Sequence, residues 1–416
     1  MADVTNNNRA ELIKIFNSTN DILRSEGIRS GIEQFNEFIK ILFIKLASDK
    51  YQKDIWDHVK TVDDDELIEY FNKITSIFNE ILTYKPLLIK YASTLKHIIS
   101  SLDKLDLSSV DSDVKGDAFE FFISSSTSDG GLGEYYTPRE IVKTLVKIAN
   151  PKLGEKVYDP FCGTGGILPS AFKNIAEHHK ADPMEVMKTI KVDSIDGFIA
   201  GQNKELAEIM LEQRTIFAGE ISDNASIAKM NLYLEGRAHC NIQQIDSLAN
   251  PIDGLYDVVI TNIPFSQKIT SKITVDGKSK TVNTVSPLYY VGLAKNSGDG
   301  VCVLHCLKAL RPGGRMAILV PEGFLFRNDL AKVREFILSK AKLDMVVSLP
   351  QGTFLPYTGV KTSLLYFTDA HMPNEQKDYK WCEVNNIGLT LDNHKRKIEG
   401  ENDLDKLIKH FEELDV

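Results

Sequence analysis

Asp257-Val-Val-Ile-Thr-Asn-Ile-Pro-Phe265 is the stretch on which the reading of this chain turns. Val258, Val259 and Ile260 form an unbroken β-branched run, the mark of a strand buried on both faces of a parallel sheet. The run then breaks into Asn262, Ile263, Pro264 and Phe265. In an open α/β sheet, ligands bind just outside the carboxyl ends of the strands. At such an end Asn262 offers an amide, Ile263 a backbone carbonyl, Pro264 a stiff turn and Phe265 a flat face. Together these suit the exocyclic amino group of a base swung out of a helix. Taken alone, the tetrapeptide reads equally as an Asx turn after a strand. The rest of the chain decides.

The chain has 416 residues and a formal net charge of -9. That length predicts two or more domains and a large core. No signal peptide and no bilayer-length apolar run is found, so a cytoplasmic protein without a membrane partner is expected. The five cysteines lack metal-ligand spacing. Cys302 and Cys306 lie one helical turn apart and read as core, so no metal site is expected. The acidic balance argues against a strong stand-alone nucleic-acid binder, which would carry a basic excess. If DNA is the substrate, a partner or a local basic groove must supply much of the grip.

Residues 1–110 read as an N-terminal helical domain. Leu23, Phe35, Phe38, Leu42, Phe43 and Leu46 recur at helical spacing, and the Leu67 to Leu82 and Leu87 to Leu102 runs repeat the pattern. The Ser- and Asp-rich segment Asp103 to Asp113 reads as a boundary. A second domain is expected over residues 111–370, with a C-terminal tail over 371–416.

Gly133-Glu-Tyr-Tyr-Thr-Pro138 precedes a helix starting near Arg139. Thr137 fits the N-cap and Pro138 the first helical position. Free N–H groups at that end suit a carboxylate, and Tyr135 and Tyr136 can cover a flat ligand. An ordinary capped helix fits the same residues. Lys156-Val-Tyr-Asp-Pro-Phe-Cys-Gly-Thr-Gly-Gly-Ile-Leu168 reads as strand, Gly loop and helix start. Gly163, Gly165 and Gly166, with Thr164 among them, allow close backbone approach to a ligand. Dinucleotide folds share such loops. Asp159 discriminates, because a carboxylate there repels a pyrophosphate and attracts an ammonium or sulfonium group. S-adenosylmethionine carries both, and its carboxylate suits Thr137 and the helix end.

Phe217-Ala-Gly-Glu220 is the next strand end, where a carboxylate commonly takes ribose hydroxyls. Glu220 is preferred to the rival Asp196 because a helix with Ile227, Ala228 and Met230 follows it directly. Lys173 to Arg214 is then a helical insertion. Asp246 ends a third strand and reads either as an acceptor for an adenine amino group or as a turn aspartate. Ser266 to Gly298 is polar and is expected to be a mobile loop near the site. Beyond it come a helix (Val301 to Leu310), an Arg311-Pro-Gly-Gly turn, a strand (Met316 to Val320), a helix (Leu330 to Leu338) and a closing strand pair (Leu343 to Leu349, Thr362 to Phe367). Phe354 lies on the turn between that pair and reads either as facing Phe265 across a base or as core. Leu404, Leu407, Ile408, Phe411 and Leu414 share one helical face, which suits a partner helix or the chain's own N-domain.

In this order the motifs resemble the modification (M) subunit of type I restriction-modification systems, an adenine-specific DNA methyltransferase family. The resemblance covers nearly the whole chain. It is carried by Asn20-Asp-Ile-Leu-Arg24, Leu42 to Asp49, Gly116-Asp-Ala-Phe-Glu120, Glu134-Tyr-Tyr-Thr-Pro-Arg139, Asp159 to Gly166, Asn262 to Phe265, and Gly388 to Asp392 with Lys395-Arg396. It implies an α/β, Rossmann-like S-adenosylmethionine-dependent methyltransferase domain behind an N-terminal α-helical domain. It adds Glu134 and Arg139 to the cofactor set and makes Asn262, Ile263, Pro264 and Phe265 the catalytic tetrapeptide. It further implies double-stranded DNA as substrate, a DNA-specificity (S) subunit, a restriction (R) subunit, two M subunits per complex and a prokaryotic cytoplasm. The family's tetrapeptide usually has Pro where this chain has Ile263. RNA or a protein glutamine amide is the alternative substrate. No Pro-Cys dipeptide occurs, which argues against a cysteine nucleophile attacking cytosine carbon-5.

Overall fold

A computed structural model of the chain describes residues 2–29, 32–51, 54–78, 85–105, 136–178, 183–191, 201–202, 204–234, 240–265, 270–275, 278–283, 297–372, 376 and 378–414. The chain forms two units, one of residues 1–136 with 226–238, the other of residues 137–225 with 239–416. No helix among the described residues is long and apolar enough to cross a membrane.

The first unit is helical: α1 (Ala2–Ser25), α2 (Ile32–Tyr51), α3 (Ile55–Thr61), α4 (Asp64–Ile77) and α5 (Ala92–Leu102). The helical spacing read in the sequence becomes its core, in which Phe16, Phe35, Phe38, Phe43 and Phe71 are fully buried. Phe16 and Phe38 meet edge to face with ring centroids 4.3 Å apart, a favoured aromatic geometry. Ile227, Met230 and Tyr233, from the helix that follows Glu220, complete this core.

The second unit runs α6 (Arg139–Ala149), β1 (Val157–Asp159), α7 (Ile167–His178), α8 (Pro183–Thr189), α9 (Lys204–Thr215), β2 (Ile216–Glu220), α10 (Asn224–Leu234, passing into the first unit), β3 (Asn241–Gln244) and β4 (Tyr256–Asn262). It continues through β5 (Thr270–Val275), β6 (Lys278–Asn283), α11 (Gly298–Ala309), β7 (Leu310–Pro321), α12 (Ala331–Leu338), β8 (Lys342–Ser348), β9 (Thr362–Thr368), β10 (Lys380–Glu383) and α13 (Asp403–Leu414). Its eight-stranded sheet has the order β10-β8-β9-β7-β4-β1-β2-β3. Only β9 runs antiparallel to its neighbours, β7 and β8. The chain winds outward from β1 to β3, then returns to lay β4 on the other side of β1. That reversal puts a topological switch point between β1 and β4, where ligands of such sheets bind. Val258, Val259 and Ile260 have no exposed surface, as a strand covered on both faces requires.

Three features differ from the sequence reading. The segment expected to be a mobile loop holds an antiparallel pair, β5 with β6. It carries the β-branched residues Ile273, Thr274, Val275, Thr281 and Val282, and Asp276-Gly277, a common two-residue hairpin sequence, lies between the strands. The Arg311-Pro-Gly-Gly turn lies inside β7, where Leu310 to Arg315 opposes only Tyr256 to Val258. The extra residues bulge out, with Gly313 at a φ of 77°. Finally, α13 has its own occupant. Leu404, Leu407 and Ile408 are buried, α13 lies against α6, and Phe411 meets Tyr366 of β9 edge-on. An amphipathic pattern fixes which side is buried, not what buries it.

The back of the sheet is tied by Arg315. Its guanidinium forks onto Glu155 with two bonds of 2.7 Å and also donates to the carbonyls of Ala149 and Asn150. Burial pushes the Glu155 carboxyl up, but the Arg315 bonds and charge outweigh it and hold the carboxyl below its usual range. Its contribution to stability is therefore present above the ordinary glutamate range and is lost as pH falls through the lowered value. Arg315→Ala is expected to cost about 1–3 kcal/mol, the range for leaving hydrogen-bonded groups of a partly buried site without their donor. Urea unfolding at neutral pH checks this, and the loss should shrink in acid.

Candidate active site at the carboxyl ends of β1 and β4

β1 ends at Asp159, and the parallel register with β4 brings Thr261 beside it. Thr261 Oγ1 donates to Asp159 Oδ1 at 2.6 Å, and the Phe161 amide donates to the same oxygen at 3.1 Å. Asp159 Oδ2 is buried with no hydrogen-bond partner among the described residues. Burial first, and the nearby charge of Glu220 with it, push this carboxyl up to about 7 against the two hydrogen bonds.

The Gly loop turns over this carboxylate. Cys162 N donates to Gly219 O at 3.0 Å and Gly165 N to Cys162 O at 2.8 Å. Gly163 and Gly165 have φ of 53° and 79°, backbone that a side chain would strain. Thr164 is buried between them. Gly163 N donates to Glu220 Oε2 at 3.0 Å, so the loop and the end of β2 are one assembly. Glu220 Oε1 accepts from Ser222 N and Ser222 Oγ. A carboxylate has about four acceptor positions, so Glu220 retains capacity for a hydroxyl. Ser247 Oγ donates to Pro160 O at 2.8 Å and ties the start of the loop to the segment after β3. Asp246 Oδ1 accepts from Leu248 N and Ala249 N, the turn-aspartate arrangement.

β4 ends at Asn262. Its Nδ2 donates to Thr137 Oγ1 at 3.1 Å, while Oδ1 is buried without a partner among the described residues. Thr137 is therefore not the helix cap read from sequence. Pro138 occupies the cap position of α6, which sets Thr137 one residue earlier and frees its hydroxyl for the β4 end. Ile263 N donates to Leu319 O of β7 at 3.3 Å. A proline here could not make that bond, so the departure at Ile263 exchanges ring stiffness for a hydrogen bond to the sheet. The Ile263 side chain is buried. Phe265 is partly buried and meets Phe354 edge to face, with centroids 5.9 Å apart. Phe354, itself buried, thus packs against Phe265.

The switch point therefore gathers Thr137, Asp159, Gly163 to Gly165, Glu220, Asn262 and Phe265. Gly166 leads into α7; Pro138 is buried and Arg139 exposed. Tyr136 is half-buried. Glu134, Tyr135 and Asp196 lie outside the described residues. Sequence reading missed Thr261 and Ser247, whose partners are remote in the chain. Cys302, His305 and Cys306 are fully buried on α11, where burial drives the thiols up and the imidazole down to about 4. They are neutral core groups.

Two buried carboxylates with one orphaned oxygen, under a glycine cradle, call for a cationic ligand. The ammonium and sulfonium groups of S-adenosylmethionine fit that donor set; a pyrophosphate does not.

Comparison with known proteins identifies relatives of this chain. A type I restriction enzyme EcoEI methylase subunit of Escherichia coli is 28% identical over 293 residues, covering 69% of this chain and 53% of that protein. The EcoKI methylase subunit of Escherichia coli K12 is 25% identical over 392 residues, covering 86% and 67% respectively. The chain thus spans about half to two thirds of the length of these relatives. The crystal structure of a type I restriction-modification system methyltransferase subunit from Streptococcus thermophilus shares the fold, with a TM-score of 0.60 at 17% identity over 97% of this chain and 93% of that one. Residues 110–415, well over half of the chain, match the family described as N-6 DNA methylase. The chain belongs to the N-6 DNA methylase family.

Proposed function

We propose that the chain is the modification subunit of a type I restriction-modification system and methylates the exocyclic amino group of adenine in duplex DNA. The observation that carries this is the buried Oδ1 of Asn262, one strand from the buried Oδ2 of Asp159, both without a hydrogen-bond partner among the described residues. An adenine amino lone pair is delocalised into the ring and is a poor nucleophile. Asn262 Oδ1 and the Ile263 carbonyl accept its two N–H bonds, draw the nitrogen toward tetrahedral geometry and aim its lone pair. S-adenosylmethionine, when bound, supplies a methyl group activated by its sulfonium. Asp159 answers the positive charge, Gly163 and Gly165 let the backbone close in, Glu220 takes the ribose hydroxyls, and Thr137 with the start of α6 takes the carboxylate. Asp246 accepts from the cofactor's adenine, and Tyr136 covers that ligand together with Glu134, Tyr135 and Arg139 of the same motif. Phe265 stacks on the flipped base and offsets part of the cost of flipping. Alignment of the reacting groups supplies most of the rate.

An acidic chain supplies little of the phosphate contact on which DNA affinity rests. The relatives are named as methylase subunits of type I restriction enzymes. We place this chain in such a complex in a prokaryotic cytoplasm, two copies with one DNA-specificity subunit, with a restriction subunit added for cleavage.

The reading is tested by labelled-methyl transfer to duplex DNA, RNA and protein, with a DNA-specificity partner present. Duplex DNA alone should accept the label; transfer to RNA or to a glutamine amide would replace this reading. Asn262→Ala should bind cofactor as the parent does and transfer no methyl. Near-parental turnover by that variant would refute the role of Asn262.

Asp159 makes cofactor affinity depend on pH. Its carboxyl sits at about 7 in the free protein, and a cationic ligand selects the ionised form. Affinity should therefore fall by about tenfold per pH unit below that value and level off above it. Asp159→Asn should bind more weakly and without this slope. Calorimetry across the range measures both.

A further inference from the structure

We propose that Thr137 is a positioning residue that sets which way the Asn262 amide faces, and that it does so most firmly once an acceptor takes the Thr137 hydroxyl proton. The inference rests on the methyltransferase reading above and adds a residue to it.

An asparagine amide has two faces of opposite character, an acceptor oxygen and a two-proton donor. Only the oxygen can meet the N–H bonds of an amino group. Turned the other way, Asn262 would set its own N–H bonds against those of the base and lose both. In the structure the amide faces the productive way. Nδ2 donates to Thr137 Oγ1 at 3.1 Å, and Oδ1 is buried and unpartnered among the described residues. The two residues are 125 positions apart in sequence and belong to separate motifs.

A hydroxyl by itself is an ambiguous guide, since it accepts or donates equally well. It becomes decisive when its proton is committed elsewhere. Thr137 immediately precedes the cap of α6, at the helix end expected to take a carboxylate. A carboxylate only accepts, so it claims the Thr137 proton. The oxygen of Thr137 can then only accept, and among the described residues of β4 its donor is Asn262 Nδ2. The backbone on both sides is held. Pro138 has a φ of -53°, and Ile263 N is bonded to Leu319 O at 3.3 Å. Occupation of the carboxylate position therefore biases the amide toward the base, and the two binding events are coupled through one hydroxyl.

The test uses the full chain with Thr137→Val, which keeps the shape and removes the hydroxyl, and Thr137→Ser, which restores it. With saturating cofactor, DNA and specificity partner, Thr137→Val should lose about tenfold to a hundredfold in kcat. Its KM for DNA should change far less, and Thr137→Ser should recover most of the rate. Unchanged kcat, or a loss confined to cofactor affinity, would overturn the proposal and leave Thr137 a cofactor ligand. A second readout needs no turnover. In nitrogen-15 asparagine-labelled protein, the Asn262 side-chain amide protons, assigned with Asn262→Ala, should be protected from exchange. Protection should rise with S-adenosylhomocysteine and vanish in Thr137→Val. Equal exchange in the parent and Thr137→Val would refute the contact. If the parent transfers no methyl to any substrate, the functional reading fails while the exchange measurement still decides the role of Thr137.

Discussion

The 2.6 Å hydrogen bond from Thr261 to Asp159 joins the carboxyl ends of β1 and β4, and the site depends on that junction. It uses one oxygen of a buried carboxylate and leaves the other without a hydrogen-bond partner among the described residues. It also pins the β4 end one residue before Asn262. Without it, the buried carboxylate of Asp159 and the amide of Asn262 would be set independently. Parallel pairing at the switch point makes the junction possible, because only there do two strand ends adjoin with an open crevice above them.

The electrostatics of the hollow follow from burial. Desolvation raises Asp159 to about 7, and Glu220 works in the same direction. The cost of that arrangement is met when a cation arrives, so the site stores a preference for positive charge in the protein itself. The surrounding bonds, from Gly163 to Glu220 and from Ser247 to Pro160, hold the backbone around it. Preorganised groups of this kind need no rearrangement when the ligand binds.

Much of this was legible in the sequence, and what was not has a common cause. Val258 to Ile260, the Asp159 loop and Glu220 declare themselves through local patterns: an apolar run, glycines at fixed offsets, a carboxylate at a strand end. Thr137 was read locally as a helix cap, yet its hydroxyl serves Asn262, a partner that only the folded sheet reveals. The apolar face of α13 reads in the sequence as a docking face for a partner helix or the N-domain, but its occupants here, α6 and Tyr366, are distant in sequence. Phe354 was open between base and core, and its edge-on contact with Phe265 depends on the β8–β9 turn. The β5–β6 pair is different, because Asp276-Gly277 is a local hairpin signal, but the Lys, Ser and Thr around it read as a solvated loop.

The central claim is that Asn262 and Ile263 present two acceptors to an exocyclic amino group of adenine while Asp159 holds the methyl donor beside it. Nucleoside analysis by mass spectrometry of duplex DNA methylated by the chain with its specificity partner tests this most directly. The account predicts N6-methyladenine as the modified nucleoside, absent when Asn262 is replaced. A ring-carbon product such as 5-methylcytosine, or N6-methyladenine formed undiminished by Asn262→Ala, would contradict it.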